Sequence, residues 1–276
     1  MPELPEVEVT RRSLDGPLQG ALILGASLGK PLRWPLGLAA EHLVGLQLGP
    51  ITRRGKYLWL ALQGRPGAGG LLMHLGMSGS LALHRGGVPL AGPHDHFTLQ
   101  TTQGTLRLTD PRRFGAVVWS AAQDQDPARK LLSRLGHEPF DERLTPEFLH
   151  ASLQRRRAPI KPVLLGGDIV VGAGNIYACE ALFGAGIHPA LRADRISRPR
   201  ATRLLAALRE TLARALAMGG TTLRDFRDAH GMDGAFQDEA AVYGRAGQAC
   251  RRCGTAVRRQ VQGQRATYWC PGCQKR

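Results

Sequence analysis

Four of the five cysteines stand as Cys250-x-x-Cys253, sixteen intervening residues, then Cys270-x-x-Cys273. Each C-x-x-C turn presents two thiolates to one ion, and two such turns supply the four ligands of a tetrahedral zinc site. Two disulfides are the alternative that the spacing allows, and an intracellular chain disfavours them. Four sulfur ligands leave no coordination position for water, so the one zinc expected here is structural rather than catalytic. Cys179 is left over and is expected to be a buried thiol.

The opposite end offers a different chemistry. The chain opens Met1-Pro-Glu-Leu-Pro-Glu6, and removal of the initiator methionine would leave Pro2 with a secondary α-amine. An α-amine titrates near 7.7 to 8.0 and a lysine near 10.4, so at neutral pH the terminal amine is unprotonated roughly two to three orders of magnitude more often. Such an amine attacks an electrophilic carbon, and the iminium it forms is an electron sink for breaking a neighbouring bond. Glu3 stands ready to shuttle protons, and Glu6 either holds the N-terminus or favours the helix dipole. Proline and acidic residues also start helices with no catalytic purpose, and that reading stays open at this stage.

The charge balance says what such groups would meet. Lys and Arg total 37 against 22 Asp and Glu, a formal net charge of +15, which points to a polyanion and above all to nucleic acid. From Cys250 to Arg276 there is no acidic residue, so the cysteine module concentrates phosphate-seeking charge. No apolar run approaches the length of a bilayer span, which excludes an integral membrane protein. The acidic, proline-rich start is unlike a secretory leader, so a cytoplasmic location is expected.

The patterning supplies elements to position these groups. A short helix is predicted over 5–14, followed from Ala21 to Ala121 by strand-like runs at 22–28, 43–48, 57–62, 71–75, 97–101, 105–108 and 116–119, which suggest a β-sandwich. Helical texture begins at Ala128, and Gly136 to Arg143 reads as an interdomain linker. Further helices are expected at 146–154, 159–165, 175–183 and 199–218, the last capped by Ser197. A hairpin with its tip near Gly263 is predicted between the cysteine pairs. The expected organisation is therefore an α+β multidomain chain: a β-sandwich domain at 1–135, a linker and helical domain at 136–242, and a zinc finger at 243–276.

Six blocks in order carry a family resemblance. MPELPEVE, Arg53-Arg-Gly-Lys-Tyr57, His74-Leu-Gly-Met-Ser-Gly79, Asp110-Pro-Arg-Arg-Phe-Gly115, Gly172-Ala-Gly-Asn-Ile-Tyr-Ala178 and the four-cysteine finger together resemble the formamidopyrimidine-DNA glycosylases. The resemblance spans the chain. It implies a β-sandwich, a helix-two-turn-helix domain and a zinc finger, with double-stranded DNA containing oxidised bases bound between the halves of a monomer. It implies that Pro2 attacks the sugar carbon bearing an oxidised purine, that Glu3 donates a proton, that Lys56 acts in β-elimination and that Arg265 acts in δ-elimination. Met77, Arg112 and Phe114 match the residues that fill the duplex when the base is extruded. His74, His94, Arg157 and Asn175 match DNA contacts, and the Gly172-x-Gly174 turn before Asn175 exposes N–H groups at a helix start. Residues 221 to 242, beginning Thr221-Thr-Leu-Arg-Asp-Phe226, match the loop that covers the base. Gly166-Gly167 departs from the family pattern and leaves the nearby loop open to other geometries.

Two other readings compete. The endonuclease VIII group, which removes oxidised pyrimidines on the same fold, typically begins MPEGPE, whereas Leu4 and the Met77, Arg112, Phe114 set favour the purine enzyme here. A non-catalytic zinc-dependent DNA-binding protein would bind DNA without cutting it.

Overall fold

The computed structural model describes residues 2–221, 229, 232 and 234–276. The described chain divides into two compact units, one formed by 1–134 with 219–234 and the other by 135–218 with 235–276. The chain therefore passes from the first unit to the second at 134/135, returns at 218/219 and leaves again at 234/235.

In the first unit α1 (Leu4–Leu18) precedes eight strands, β1 (Ile23–Leu28), β2 (Gln47–Arg54), β3 (Tyr57–Gln63), β4 (Gly70–His74), β5 (Ser80–His84), β6 (Asp95–Thr101), β7 (Gly104–Thr109) and β8 (Ala116–Ser120). They form two antiparallel four-stranded sheets, ordered β1-β6-β7-β5 and β2-β3-β4-β8. Leu58, Leu60, Leu71, Met73, Phe97, Leu99, Leu106 and Leu108 fill the core of this sandwich together with Leu14 and Leu18 of α1. On β3 and β4, Trp59 and Leu72 pack with Ala128 of α2 (Ala128–Leu132). That sheet is thus covered on both faces, which is why Tyr57 to Leu62 is nearly continuously apolar instead of alternating.

Two strands depart from the sequence reading. The run at 43–48 is the end of a 3-10 turn (Ala40–Leu43) and the start of β2, which continues through Pro50 to Arg54. The register shifts between Leu48 and Ile51, and the Ile51 N–H is taken by Asp15 Oδ1 of α1 at 2.8 Å, so a helix side chain satisfies what the irregular ladder leaves open. Strand β5, which pairs with β7, is missing from the sequence reading.

The second unit contains α3 (Pro146–Gln154), α4 (Ile160–Gly166), α5 (Asn175–Gly184), α6 (Arg198–Ala217), α7 (Phe236–Glu239) and a hairpin of β9 (Arg258–Gln262) with β10 (Arg265–Trp269). Helix α5 is buried from Ile176 to Phe183 and forms the centre of the unit. Thr145 caps α3 by accepting the Phe148 N–H at 3.1 Å. Ser197 does precede α6, but its side chain makes no cap hydrogen bond. The Gly166-Gly167 pair is a helix stop: Gly166 ends α4 and Gly167 adopts a left-handed conformation after it.

The segment read as a linker is fastened to the second unit. Gly136, His137 and Val171 exchange backbone hydrogen bonds across 136–137 and 167–171, and the Arg209 guanidinium of α6 donates to the carbonyls of Pro139, Asp141 and Leu144. No helix among the described residues is long and apolar enough to cross a membrane.

Candidate functional site

Pro2 is buried two residues before α1, with Glu3 extended at the N-cap and Pro5 in the first turn. Glu3 and Glu6 are 1% and 2% exposed, and carboxylates so buried need donors. Glu6 Oε2 accepts the Glu3 N–H at 2.7 Å and Oε1 accepts the Thr221 N–H at 2.8 Å. One carboxylate thus ties the segment after Pro2 to the start of the 221–234 stretch. Gly220 makes this possible: at φ +83°, a Cβ there would lie 2.9 Å from Glu6 Oε1. Of the segment 221–242 expected to cover the base, 222–228, 230, 231 and 233 lie outside the described residues.

Lys56 is half-buried in the β2–β3 turn. The preceding Arg53 donates from Nε to Glu8 Oε2 of α1 at 3.0 Å and from Nη1 to the Gly55 carbonyl at 2.9 Å, so α1 fixes the turn that carries the lysine. Burial opposes ionisation of Glu8, but Arg11, Arg12 and Arg53 hold its carboxyl below the usual range.

His74 ends β4, with its ring against Tyr57 at 4.8 Å between centroids. Burial pushes its pKa down to about 4, and the Lys56 and Arg33 charges add to the effect while Asp110 opposes it. Its Nδ1 accepts the Gly76 N–H at 3.0 Å, so the neutral ring carries its proton on Nε2. His74 is therefore a neutral hydrogen-bond donor at physiological pH.

Two loops meet at Asp110, which is fully buried. Its Oδ2 accepts the Gly115 N–H at 2.7 Å, and its Oδ1 accepts from Ser78 Oγ at 2.7 Å and the Arg112 N–H at 3.2 Å. Its backbone N–H donates to the His94 carbonyl at 2.8 Å, and its carbonyl accepts from His96 Nε2 at 3.1 Å. Met77, Arg112 and Phe114 lie on these loops, and a Cβ at Gly76 would fall 2.5 Å from the Gly115 nitrogen, which explains how closely they approach. Met77 is half-buried, while Arg112 and His94 are exposed. Phe114 is 44% exposed, with the Arg112 guanidinium over its ring at 5.0 Å. An aromatic held open under a cation is available to a base stack and contributes little to the core.

In the second unit Arg157 is exposed between α3 and α4, and Asn175 opens α5 behind Gly174. Lys161 of α4, fully buried, donates to Asn175 Oδ1 at 2.6 Å and Thr267 Oγ1 at 2.7 Å. Arg265 begins β10 directly after Gly263-Gln264, both with positive φ, the conformation of a tight two-residue hairpin turn. Glu180 of α5 accepts three consecutive N–H groups, from Ala241, Val242 and Tyr243 at 2.8, 3.0 and 2.8 Å, and so anchors the chain that leads into the finger.

The Sγ atoms of Cys250, Cys253, Cys270 and Cys273 all lie within 4.8 Å of one another. The Cys250–Cys273 and Cys253–Cys270 separations are 3.9 and 3.4 Å, close to the edge of about 3.8 Å that a ZnS4 tetrahedron with Zn–S near 2.3 Å requires. Burial and the neighbouring thiols push the Cys273 thiol up to about 12, while hydrogen bonding to Thr255 draws the Cys253 thiol down to about 6. The quartet fits one structural zinc. Cys179 is buried beside it, with Phe183, Val242 and Val257.

Asp110, Lys161 and Glu180 have no role in the sequence reading. An acid within the Asp110-Pro-Arg-Arg-Phe-Gly turn is a signal for a loop organiser that sequence alone offers; Lys161 and Glu180 carry no local signal.

The chain is similar to known proteins over its whole length. Residues 1–117 match the formamidopyrimidine-DNA glycosylase N-terminal domain, 135–227 the corresponding H2TH domain and 247–276 the zinc finger found in FPG and IleRS. Formamidopyrimidine-DNA glycosylases of Acidovorax sp. (strain JS42) and Ralstonia nicotianae are 58% and 49% identical, each aligned over the whole of both chains. The MutM (Fpg) protein of Thermus thermophilus superposes with a TM-score of 0.87 at 38% identity, covering 99% of this chain and 98% of that one. A mutant FPG of Lactococcus lactis, in complex with DNA containing Fapy-dG, gives 0.89 at 32% identity over the whole of both chains.

Proposed function

Because the chain belongs to the formamidopyrimidine-DNA glycosylase family, we propose that it excises oxidised purines, 8-oxoguanine and formamidopyrimidines, from duplex DNA through its N-terminal proline. It is a DNA glycosylase with abasic-site lyase activity, the enzyme type of its relatives, and a single zinc holds its finger. It acts as a monomer in the cytoplasm. The observation that carries the reading is the Glu6 carboxylate, which fixes the backbone beside Pro2 in a buried setting.

The Pro2 amine, freed of Met1, attacks C1′ with its lone pair. The glycosidic bond breaks, the base leaves with the bonding pair and gains a proton, and opening of the sugar ring leaves an iminium with O4′ protonated. Glu3 supplies and recovers these protons. The iminium acidifies C2′–H; loss of that proton expels the 3′ phosphate, a step assigned to Lys56. Loss of a C4′ proton then breaks C5′–O and expels the 5′ phosphate, with Arg265 as the cation on the departing group. Met77, Arg112 and Phe114 occupy the space the base vacates, and His74, His94, Arg157 and Asn175 hold the backbone.

Borohydride added during reaction with an 8-oxoguanine duplex should trap a protein–DNA adduct, and Pro2→Gly should trap far less. Cleavage by the parent protein with no trappable adduct would remove the amine mechanism. The Lactococcus lactis enzyme has also been solved with DNA containing an oxidised pyrimidine, so it is the ratio of excision rates on 8-oxoguanine and thymine glycol duplexes run in parallel that separates the purine reading from the endonuclease VIII-like one.

A further inference from the structure

Lys161 is the most completely enclosed cation of the second unit, 0% exposed, as is its acceptor Thr267. Besides Asn175 Oδ1 and Thr267 Oγ1, its Nζ donates to the carbonyl of Ala266 at 3.2 Å, and Asn175 Nδ2 donates to the same carbonyl at 2.9 Å. Thr267 and Ala266 follow Arg265 directly on β10. An apolar side chain would occupy the site of Lys161 without the cost of desolvating a charge, so an ammonium there is explained by the geometry it enforces. What it enforces is the position of the hairpin tip. Gln264, at φ +60°, adopts a conformation unfavourable to any residue but glycine and asparagine, and such backbone persists only where the surroundings over-determine it. Gln262, across the turn from Arg265, donates to the Pro189 carbonyl at 3.1 Å, so both strands of the tip are fastened to the helical part of the same unit.

We propose that Lys161 is a positioning residue for Arg265: through Thr267 and Ala266 it bolts the hairpin tip in place and so sets how often the second elimination follows the first. This rests on the reading of Arg265 as the group that meets the 5′ phosphate as it leaves. Nothing in the bolt touches the reacting atoms. The Thr267 hydroxyl is the bolt's link to the tip, whereas Asn175 keeps its own bonds to Lys161 Nζ and the Ala266 carbonyl, so the adduct at Pro2 forms when that link is removed.

Thr267 offers a test that keeps volume nearly constant. In the zinc-loaded full-length protein, Thr267→Val removes the hydroxyl, which accepts from Lys161 Nζ and faces the Arg265 carbonyl and Gln262 Oε1 at 3.4 and 3.5 Å, and Thr267→Ser keeps it. Amide hydrogen exchange across 258–269, the ratio of β- to β,δ-elimination ends on an abasic duplex at saturating enzyme, and borohydride trapping are measured for both, with Arg265→Ala alongside. The valine variant should exchange at least tenfold faster across the tip and leave several-fold more β-elimination ends, with trapping within twofold of the parent; the serine variant should restore both. Should Thr267→Val fail to retain zinc, Thr267→Ala compared with Thr267→Ser decides the same question. Unchanged exchange in the acceptor-less variant overturns the bolt. Faster exchange with parental ends, where Arg265→Ala does shift the ends, overturns its link to elimination. Parental ends in Arg265→Ala itself overturn the reading of Arg265, and with it that link, while the exchange data still judge the bolt.

Discussion

Glu6 accepts the backbone N–H of Thr221, 215 residues further along the chain, at 2.8 Å while its second oxygen holds the N–H of Glu3. A carboxylate is suited to this because both its oxygens accept; an amide would turn an NH2 group toward one of the two N–H donors. Glu6→Gln therefore leaves one buried donor unsatisfied, a cost of about 1 to 3 kcal/mol. The variant should melt at lower temperature and trap the borohydride adduct at least tenfold more slowly, measured in single turnover. Trapping at the parental rate would show that the bracket does not position Pro2.

Asp110 organises both loops that carry Met77, Arg112 and Phe114. Asp110→Asn replaces an acceptor by a donor facing the Gly115 N–H or Ser78, and should cost about 2 to 4 kcal/mol in stability. Discrimination of the base opposite the lesion should relax, because Arg112, whose guanidinium enters the vacated space and can pair with the orphaned cytosine, loses its fixed backbone. Denaturant unfolding and cleavage of 8-oxoguanine paired with cytosine or adenine check the two halves of this expectation.

The low pKa of His74 has a signed consequence for stability. The unfolded chain binds a proton on this ring below about 6.5, whereas the folded chain resists it until about 4. Protons therefore favour the unfolded state as pH falls through that window, by roughly 1.4 kcal/mol per unit of pKa difference, up to about 3 kcal/mol. His74→Gln should flatten the stability profile between pH 6.5 and 4 in denaturant titrations. Because the neutral ring adds no charge, the same substitution should leave the salt slope of DNA binding unchanged while weakening binding, whereas an Arg157→Ala substitution should lower the slope by about 0.9.

Removal of the metal should be read in the finger. Cys253→Ser, or chelation of the parent protein, should eliminate the one bound zinc and weaken DNA binding, since the hairpin of β9 and β10 has few apolar contacts of its own and depends on the ion for its fold. Metal analysis and binding titrations on the same preparation test this; full affinity in zinc-free protein would count against it.

What the sequence determined by itself was local. The cysteine spacing specified the metal, Gly263 marked the hairpin tip, and helices α3 to α6 were legible because proline at the first turn, glycine stops and 3.6-residue periodicity act within a few positions along the chain. The ordered blocks likewise placed Pro2, Lys56, Asn175 and Arg265 on recognisable elements. Tertiary structure decided what depends on distant partners. Strand β2 runs through Pro50 because Asp15 satisfies Ile51 from another element. Phe114 is left open by a loop that Asp110 holds from within. Lys161 and Glu180, one a buried cation and the other a buried anion, have no periodic signature, since each is stable only where acceptors or donors from segments tens of residues away converge. A hydrogen bond is short-ranged in space but indifferent to separation along the chain, so the groups that position this chemistry become visible only once the chain has folded.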